Sequence, residues 1–300
     1  MACPLFHNAH KQLDKTVTFF CDEKNDSIAF NASVSAPPNR FRENIFRHTD
    51  FSPHIIETMQ SFDVERLFSG LIGAEYDLLK SICPAVVEVS QRVGQTLATW
   101  ELGKPLKVFE IGCGTGITTL ALLNARQDII LTAIDNEPTM LEQAKQNLAH
   151  WIDKGQLRLI ETDAVSALNA LPDNSVDVVA SGYVTHNFLQ GYRIKVFEEI
   201  YRVLKPGGAF INGDRYGLDD TLEHTRLTQE EVKFWFKTFG EMNRYDLLEH
   251  WIVHLFSDES PDHIMRLGVS LECIKEIGFN PISVLFREGI NTLLLAEKPE

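Results

Sequence analysis

The sequence predicts an α/β fold with a doubly wound, mostly parallel seven-stranded sheet whose last strand is antiparallel. From about residue 106 to residue 213, short apolar runs alternate with helical segments, which is typical of a parallel α/β sheet. The first of these runs leads directly into a glycine-rich turn at 112–116. Near the C-terminus, two apolar runs flank Arg287-Glu288-Gly289, which favours a closing hairpin and therefore an antiparallel final strand.

The elements of this fold are predicted in chain order from apolar runs and from helix start and stop signals. Strands are predicted at about 106–111, 128–134, 156–161, 175–181 and 208–213. Helices are predicted at 117–125, 137–152, 191–204 and 261–277, and strands of the hairpin at 281–286 and 290–296. We expect Pro206-Gly207-Gly208 to end the third of these helices.

Two regions depart from the alternating pattern. Residues 1–100 are predicted to form an N-terminal extension, with a hairpin at about 16–33 and helices at 53–69 and 74–100, the latter interrupted by Pro84. Residues 218–260 are predicted to form a helical cap inserted into the main domain, 101–300, because their aromatic residues have largely helical spacings. These aromatic residues are Phe234, Trp235, Phe236, Phe239, Trp251 and Phe256.

Composition narrows the functional class. Of the 300 residues, 44% are hydrophobic and 23% are charged, values that are typical of folded globular proteins. The net charge of −14 disfavours long-range attraction to nucleic acids, so a small or neutral substrate is expected. The five cysteines are scattered without a C-x-x-C spacing, and we expect a reducing, cytoplasmic location with no signal peptide or membrane span. The sequence does not indicate an oligomeric state.

The glycine-rich turn predicts a ligand site. Glycines at 112, 114 and 116 remove side chains between a strand and a helix, so a ligand can approach the backbone. A dinucleotide site would need the spacing G-x-G-x-x-G. The sixth position is Ile117 counted from Gly112 and Thr119 counted from Gly114, so the nicotinamide fingerprint is absent.

The pattern Glu110-x-Gly112-x-Gly114-x-Gly116 closely resembles the first motif of class I S-adenosylmethionine (SAM)-dependent methyltransferases, and the resemblance continues to about residue 214. It implies SAM as cofactor and methyl transfer as activity. By this resemblance, Met140 packs near the adenine, Asp163 and the backbone of Ala164 read the adenine edge, and the loop after the fourth strand meets the methionine end. Glu110 and Tyr183 are expected to favour the positive groups of SAM.

Asp135 is the candidate ribose ligand. It ends the second strand about twenty residues after the glycines, and its carboxylate can accept both ribose hydroxyl hydrogens. An alternative role is that of a helix cap, and the same alternative applies to Asp163, whereas Met140 could belong to the core. The complete candidate cofactor set is Glu110, Gly112, Cys113, Gly114, Gly116, Asp135, Asn136, Met140, Asp163, Ala164, Ser181 and Tyr183.

The candidate bases or acceptor contacts are His186, Asp214, His250 and His254. His186 follows the fourth strand, where sites gather in open α/β sheets, and Asp214 ends the fifth but could merely pair with Arg215. The predicted helical spacing places His250 and His254 on one face, which would suit a pair of metal ligands. No third ligand is evident in the sequence, so no metal site is expected.

Three other functions remain open at this point. The layout loosely resembles carboxy-SAM synthases, including an arginine, Arg244, in the cap. An arginine group at 40, 42 and 47 would suit a methyltransferase that recognises tRNA or protein, although such a group is most often a solvated face. A non-catalytic, SAM-binding regulator is the third.

Overall fold

The computed structural model describes residues 68, 71–75, 78, 82–101 and 105–300, which all belong to one compact unit of the chain. The predicted N-terminal hairpin, the arginine group and most of the predicted helix at 53–69 lie outside the described residues. The division into an extension and a main domain therefore stays a prediction. In the described part of the chain, no helix has the length and apolar character required to cross a membrane.

The described residues form one seven-stranded sheet with the order β3-β2-β1-β4-β5-β7-β6. Strands β1 to β5 are mutually parallel, whereas β7 runs antiparallel to both β5 and β6. The predicted fold class is confirmed. The strands are β1 (Leu106–Ile111), β2 (Ile129–Asp135), β3 (Leu157–Glu161), β4 (Val176–Gly182), β5 (Leu204–Arg215), β6 (Ile282–Glu288) and β7 (Asn291–Glu297).

Helices cover both faces of this sheet, because successive strand residues point to opposite sides and both sides are apolar. Val108 belongs to one core cluster with Leu122 of the helix after β1, while the adjacent Phe109 belongs to a second cluster with Phe197. The helices are α1 (Leu71–Ala74), α2 (Ala85–Ala98), α3 (Ile117–Ala125), α4 (Pro138–Asn147), α5 (Ala149–Asp153), α6 (Ala164–Asn169), α7 (Gln190–Val203), α8 (Thr221–Glu241), α9 (Tyr245–Asp258) and α10 (Leu267–Ile277).

Three predicted boundaries were wrong. The helix predicted at 137–152 is broken at Leu148, whose buried side chain packs against Gly116 in the glycine turn. Strand β5 begins at Leu204 rather than at 208, because Leu204 pairs with Val176 and the Pro-Gly-Gly segment forms an irregularity within the strand. The helix predicted at 261–277 begins only at Leu267, because Arg266 is extended and bridges Gly217.

Helices α8 and α9 form the predicted helical cap. Their buried aromatic residues, Trp235, Phe239 and Trp251, belong to a third hydrophobic cluster, which we call the cap cluster. This cluster also contains Val86 and Val89 of α2, so the cap shares a core with the helix that precedes the sheet. The other members of the cap cluster are Ile82, Met140, Tyr183, Leu247, Leu248 and Leu255.

Candidate functional site

A cavity lined by described residues lies at the carboxyl ends of β1 to β4. The sheet order reverses between β1 and β4, which is the position where open α/β sheets bind ligands. The cavity wall includes the first two glycines of the turn after β1, together with Asp135, Asp163 and Tyr183.

The turn after β1 needs glycine for two reasons. Gly112, Gly114 and Gly116 all have positive φ, a conformation that costs little only for glycine. A Cβ atom on Gly112 would also lie 2.4 Å from a methyl group of Val184 in the loop after β4. The turn is tied to the next strand, since the Cys113 N–H donates to the Ile134 carbonyl at 2.9 Å. Backbone, rather than side chains, therefore forms this part of the wall.

Asp135 links that turn to the end of β2. One of its carboxylate oxygens accepts the N–H of Gly114 at 2.7 Å, and the other accepts the N–H of Glu137 at 2.9 Å. Burial raises the pKa of Asp135. The helix cap at this position is Glu137, whose side chain accepts from the N–H of Thr139. Asp135 is thus not the cap of α4; it lines the cavity, and each of its oxygens has further acceptor capacity.

Asp163 and its neighbours form the far end of the wall. The Asp163 side chain caps α6 by accepting from the N–H of Ser166, and it also accepts from the Tyr192 hydroxyl, each at 2.9 Å. Burial opposes ionisation, but these hydrogen bonds outweigh it and lower the pKa of Asp163. Capping and lining the cavity are therefore compatible. Ala164 and Met140 lie in the same wall.

The structure does not bring every candidate cofactor residue to this cavity. Gly112, Cys113, Gly114, Asp135, Asn136, Met140, Asp163, Ala164 and Tyr183 line it. Glu110, Gly116 and Ser181 are not part of its wall. Glu110 is fully buried within β1, and its burial raises its pKa to about 8.

Sequence reasoning missed Phe68, Val86 and Tyr192, which also line the cavity. Phe68 and Val86 belong to the segment before the sheet and are not part of any motif. Tyr192 lies in α7, where its hydroxyl donates to Asp163 and accepts from the N–H of Val165. An aromatic residue near the start of a predicted helix gives no sequence signal for such a contact.

Two of the candidate bases form a buried pair. The His186 Nδ1 atom lies 2.5 Å from a carboxylate oxygen of Asp214. Asp214 also accepts from the N–H and hydroxyl of Thr185 and from the N–H of Arg215. Burial opposes its ionisation, but the His186 ring and these donors outweigh burial and lower the pKa of Asp214. The pair orients the His186 ring and leaves Nε2 for a proton or an electrophile.

The other two histidines occupy different environments. His254 is buried, packs against Phe68 and Trp251, and approaches Asp258 one turn later on α9. His250 is exposed and does not join this group, so the predicted shared face is not a shared site. Asp258 was not among the predicted residues, although its i,i+4 spacing from His254 is visible in the sequence.

Comparison with known proteins is consistent with this geometry. Residues 109–212 match the family described as "Methyltransferase domain". Demethylmenaquinone methyltransferase of Leptospira interrogans is 36% identical over 109 residues, which are 36% of this chain and 43% of that enzyme. The chain therefore aligns with less than half the length of this relative.

Other similarities extend beyond the matched domain. Carboxy-S-adenosyl-L-methionine synthase of Campylobacter concisus is 23% identical over 209 residues, covering 67% of this chain and 85% of that protein. The structure is also similar to phosphoethanolamine N-methyltransferase 2 of Haemonchus contortus, solved with phosphomonomethylethanolamine and S-adenosylhomocysteine. That similarity has a TM-score of 0.55 and 15% identity and covers 80% of this chain and 61% of the other, so it indicates a shared fold.

Proposed function

We propose that this chain is a class I SAM-dependent methyltransferase that transfers the methyl group of SAM to a small-molecule acceptor, as the methyltransferase domain matched at residues 109–212 supports. The observation that carries the proposal is the convergence of the glycine turn, Asp135 and Asp163 on one cavity at the sheet's switch point. Each of these groups ends a different parallel strand. Their combination supplies backbone and carboxylate groups suited to a nucleoside with a cationic tail.

Different residues of the cavity would bind different parts of SAM. The carboxylate of Asp135 has acceptor capacity for the ribose hydroxyls, because each of its oxygens uses one lone pair for a backbone N–H. Asp163 and the backbone of Ala164 are placed to read the adenine edge, as the family resemblance implies. Tyr183 follows β4, and its ring lines the same cavity.

SAM supplies an electrophilic methyl group on a cationic sulfur, and the protein's task is to hold the acceptor behind that group. The side chains nearest this task follow β4 and β5. Tyr183 is fixed by its hydroxyl, which donates to Asn291 at 2.8 Å, and its ring lies edge-on to that of His186 at 6.3 Å between centroids. His186 is therefore one aromatic ring away from the cofactor cavity.

Two observations support a small acceptor. The net charge of −14 disfavours a polyanionic partner such as nucleic acid. In addition, Phe68 and Val86, which lie before the sheet and outside its motifs, form an apolar part of the cavity wall. A concave, partly apolar wall with a few polar groups is typical of small-molecule sites.

Calorimetric titration tests the proposal. We expect the purified chain to bind SAM and S-adenosylhomocysteine but not NAD, because the glycine spacing differs from the dinucleotide fingerprint. S-Adenosylhomocysteine release, screened against a metabolite library, would then identify the acceptor. A folded protein without detectable binding of either sulfur nucleotide at about 1 mM would contradict the proposal.

A carboxy-SAM synthase activity is the second candidate, because the similarity to such enzymes spans 67% of this chain and includes more than the matched domain. The cap arginine, Arg244, does not add support, since it pairs with Asp246 at 3.0 Å and with Glu75 at 3.8 Å and does not line the cavity. Mass spectrometry of the ligand that copurifies with the chain separates the two activities. Carboxy-SAM would favour the second, and SAM or S-adenosylhomocysteine the first.

A further inference from the structure

A second group of buried polar side chains lies beneath the cap, separate from the wall of the cofactor cavity. It consists of His186 after β4 and of His254 and Asp258 on α9. One ligand atom from each lies within 4.8 Å of the others. The Asp258 carboxylate is 4.0 Å from His186 Nε2 and 3.6 Å from His254 Nε2. We call these three residues the His-His-Asp cluster.

Atoms of this cluster are buried without hydrogen-bond partners in the described part of the protein. They are Nδ1 of His254 and one carboxylate oxygen of Asp258, whose residues are only 6% and 8% exposed. A buried polar atom without a partner costs on the order of 1–3 kcal/mol. These two atoms are not the Nε2 and Oδ2 atoms whose separations are given above, and they show that the described residues leave this buried polar cluster incompletely satisfied.

The charge balance of the cluster favours a cation. Among the described residues, Asp258 has no Lys or Arg partner within ion-pair distance, and the basic groups within 4.0 Å of its carboxylate are the imidazoles of His186 and His254. The nearby Arg215 is engaged by Glu231 through two hydrogen bonds of 2.7 and 3.0 Å. A guanidinium nitrogen of Arg215 also lies 3.7 Å from a carboxylate oxygen of Glu259. Arg215 is therefore committed to other carboxylates.

The orientation of His186 fits a ligand role. Its Nδ1 atom is held by Asp214, so Nε2 presents a lone pair toward Asp258. Metal-binding histidines commonly donate their other ring N–H to a carboxylate, which fixes the tautomer and strengthens the ligand. Asp214 is itself fixed by Thr185 and by the N–H of Arg215, so the ring cannot turn freely.

We propose that His186, His254 and Asp258 bind a divalent first-row transition-metal ion, of which Zn²⁺ is the representative. Two imidazoles and one carboxylate are a ligand set that such ions prefer, and three protein ligands leave a coordination position open. Bonds of about 2.0–2.2 Å place ligand atoms roughly 3.3–3.6 Å apart in a tetrahedral site. The separations of 3.6 and 4.0 Å from Asp258 are close to this range, whereas the bound of 4.8 Å on the cluster allows a contraction of up to about 1.5 Å on ion binding.

The position of the site suggests a role in the proposed methyl transfer. This role rests on the proposed function, whereas metal binding by the cluster does not. The rings of Tyr183 and Phe68 line the cofactor cavity on one side and contact His186 and His254, respectively, on the other. An ion at the cluster would bind the acceptor's oxygen or nitrogen at its open position and lower the pKa of that group, so that its proton passes to solvent water. In this arrangement His186 is a ligand and not the general base.

Zinc binding by the full chain tests the site directly. After removal of metals with a chelator, we expect the wild type to bind one Zn²⁺ with a dissociation constant of about 1 μM or less. Asp258→Asn and His254→Gln should weaken binding by about 100-fold or more, and Asp214→Asn by roughly 10- to 100-fold, since it only orients a ligand. His250→Gln, an exposed histidine one turn earlier on the same helix, is the matched control and should bind like the wild type.

A second measurement covers variants that fail to fold. Co²⁺-loaded wild type should show two exchangeable, paramagnetically shifted imidazole N–H signals in proton NMR, one from each ligand histidine. Fewer than two such signals would overturn the proposal, as would wild-type affinity in both Asp258→Asn and His254→Gln. Titration of SAM into the same preparations keeps the two claims distinct, because zinc binding without SAM binding contradicts only the proposed function.

Discussion

The carboxylate of Asp135 connects two segments beside the cavity, the glycine turn and the start of the segment that leads into α4. It accepts one hydrogen bond from the glycine turn and one from the start of the segment that leads into α4. Asp135 also lines the cavity. Removing the carboxylate should therefore affect both the ligand and the shape of the turn, whereas a neutral amide preserves one acceptor.

Asp135→Ala should weaken SAM binding by about 1.5–3 kcal/mol, the range for a hydrogen bond to a charged group. Asp135→Asn should be milder, because its amide oxygen can still accept one of the backbone or ribose hydrogens. Calorimetric titration with SAM measures both effects. Asp153→Ala, which removes an exposed carboxylate outside the cavity, is the control. Unchanged affinity in both Asp135 variants would show that Asp135 serves only the backbone.

At this scale the sequence was informative where a motif fixes a role. The glycine turn and Asp135 at the end of β2 were found by spacing and Asp163 through the family resemblance, and the structure brings them to one cavity. The His-His-Asp cluster was not found as a site. His186 lies about seventy residues before His254 and Asp258, so the cluster depends on how the cap packs against the loop after β4. Such packing leaves no local pattern.

At the scale of elements, the cap shows which aromatic residues serve its core. Trp251 is 5% exposed, and its ring lies 6.1 Å from that of Trp235 in the cap cluster. Phe256, five residues later on the same helix, is 74% exposed. The sequence predicted that some of these aromatics would be buried, but only the helix orientation decides which. Trp251 therefore belongs to the core that joins the cap to α2.

Trp251→Ala should lower the free energy of unfolding by about 3–5 kcal/mol, as expected for truncating a buried tryptophan. The matched change Phe256→Ala should stay within about 0.5 kcal/mol of the wild type, because its ring is already in water. Urea unfolding of the two variants measures the difference. Near-wild-type stability of Trp251→Ala combined with loss of methyl transfer would instead indicate that Trp251 acts in catalysis, as part of a lid over the cofactor cavity, and not in the core.

The elements themselves were predictable to different degrees. The strands were found because each is a short apolar run ended by glycine, aspartate or a turn, and both faces of the sheet are buried. The start of α10 was misplaced, since the helix predicted from residue 261 begins only at Leu267. The chain is instead extended at Arg266, which bridges Gly217 and donates to the Leu218 carbonyl. These are tertiary contacts that periodicity does not encode.

At the scale of the whole molecule, the pH dependence of folding reflects a carboxyl group at the centre of the sheet. Glu110 lies in β1, opposite Ala133 of β2 and Ala180 of β4, and is completely buried. Burial raises its pKa to about 8 from a reference value of 4.5. In the folded protein at neutral pH, this side chain is therefore largely protonated, whereas it is ionised in the unfolded chain.

The native state consequently binds one more proton than the unfolded state between about pH 4.5 and pH 8. The stability associated with Glu110 is fully present below pH 4.5 and is lost progressively as the pH rises toward 8, by up to about 1.4 kcal/mol per pH unit. Glu110→Gln removes the titration while retaining the shape of the side chain. The free energy of unfolding of this variant should therefore increase relative to that of the wild type as the pH rises.

Urea unfolding of the ligand-free wild type and of Glu110→Gln, at intervals from pH 5 to pH 8.5, isolates this contribution, because the other titrating groups are common to both proteins. The difference between their unfolding free energies should change steadily through this range and level off above about pH 8. Parallel stability curves would mean that Glu110 does not bind the extra proton. In that case the folded protein must hold an ionised carboxylate inside the sheet, which would require a positive partner for Glu110 among groups that pack against β1.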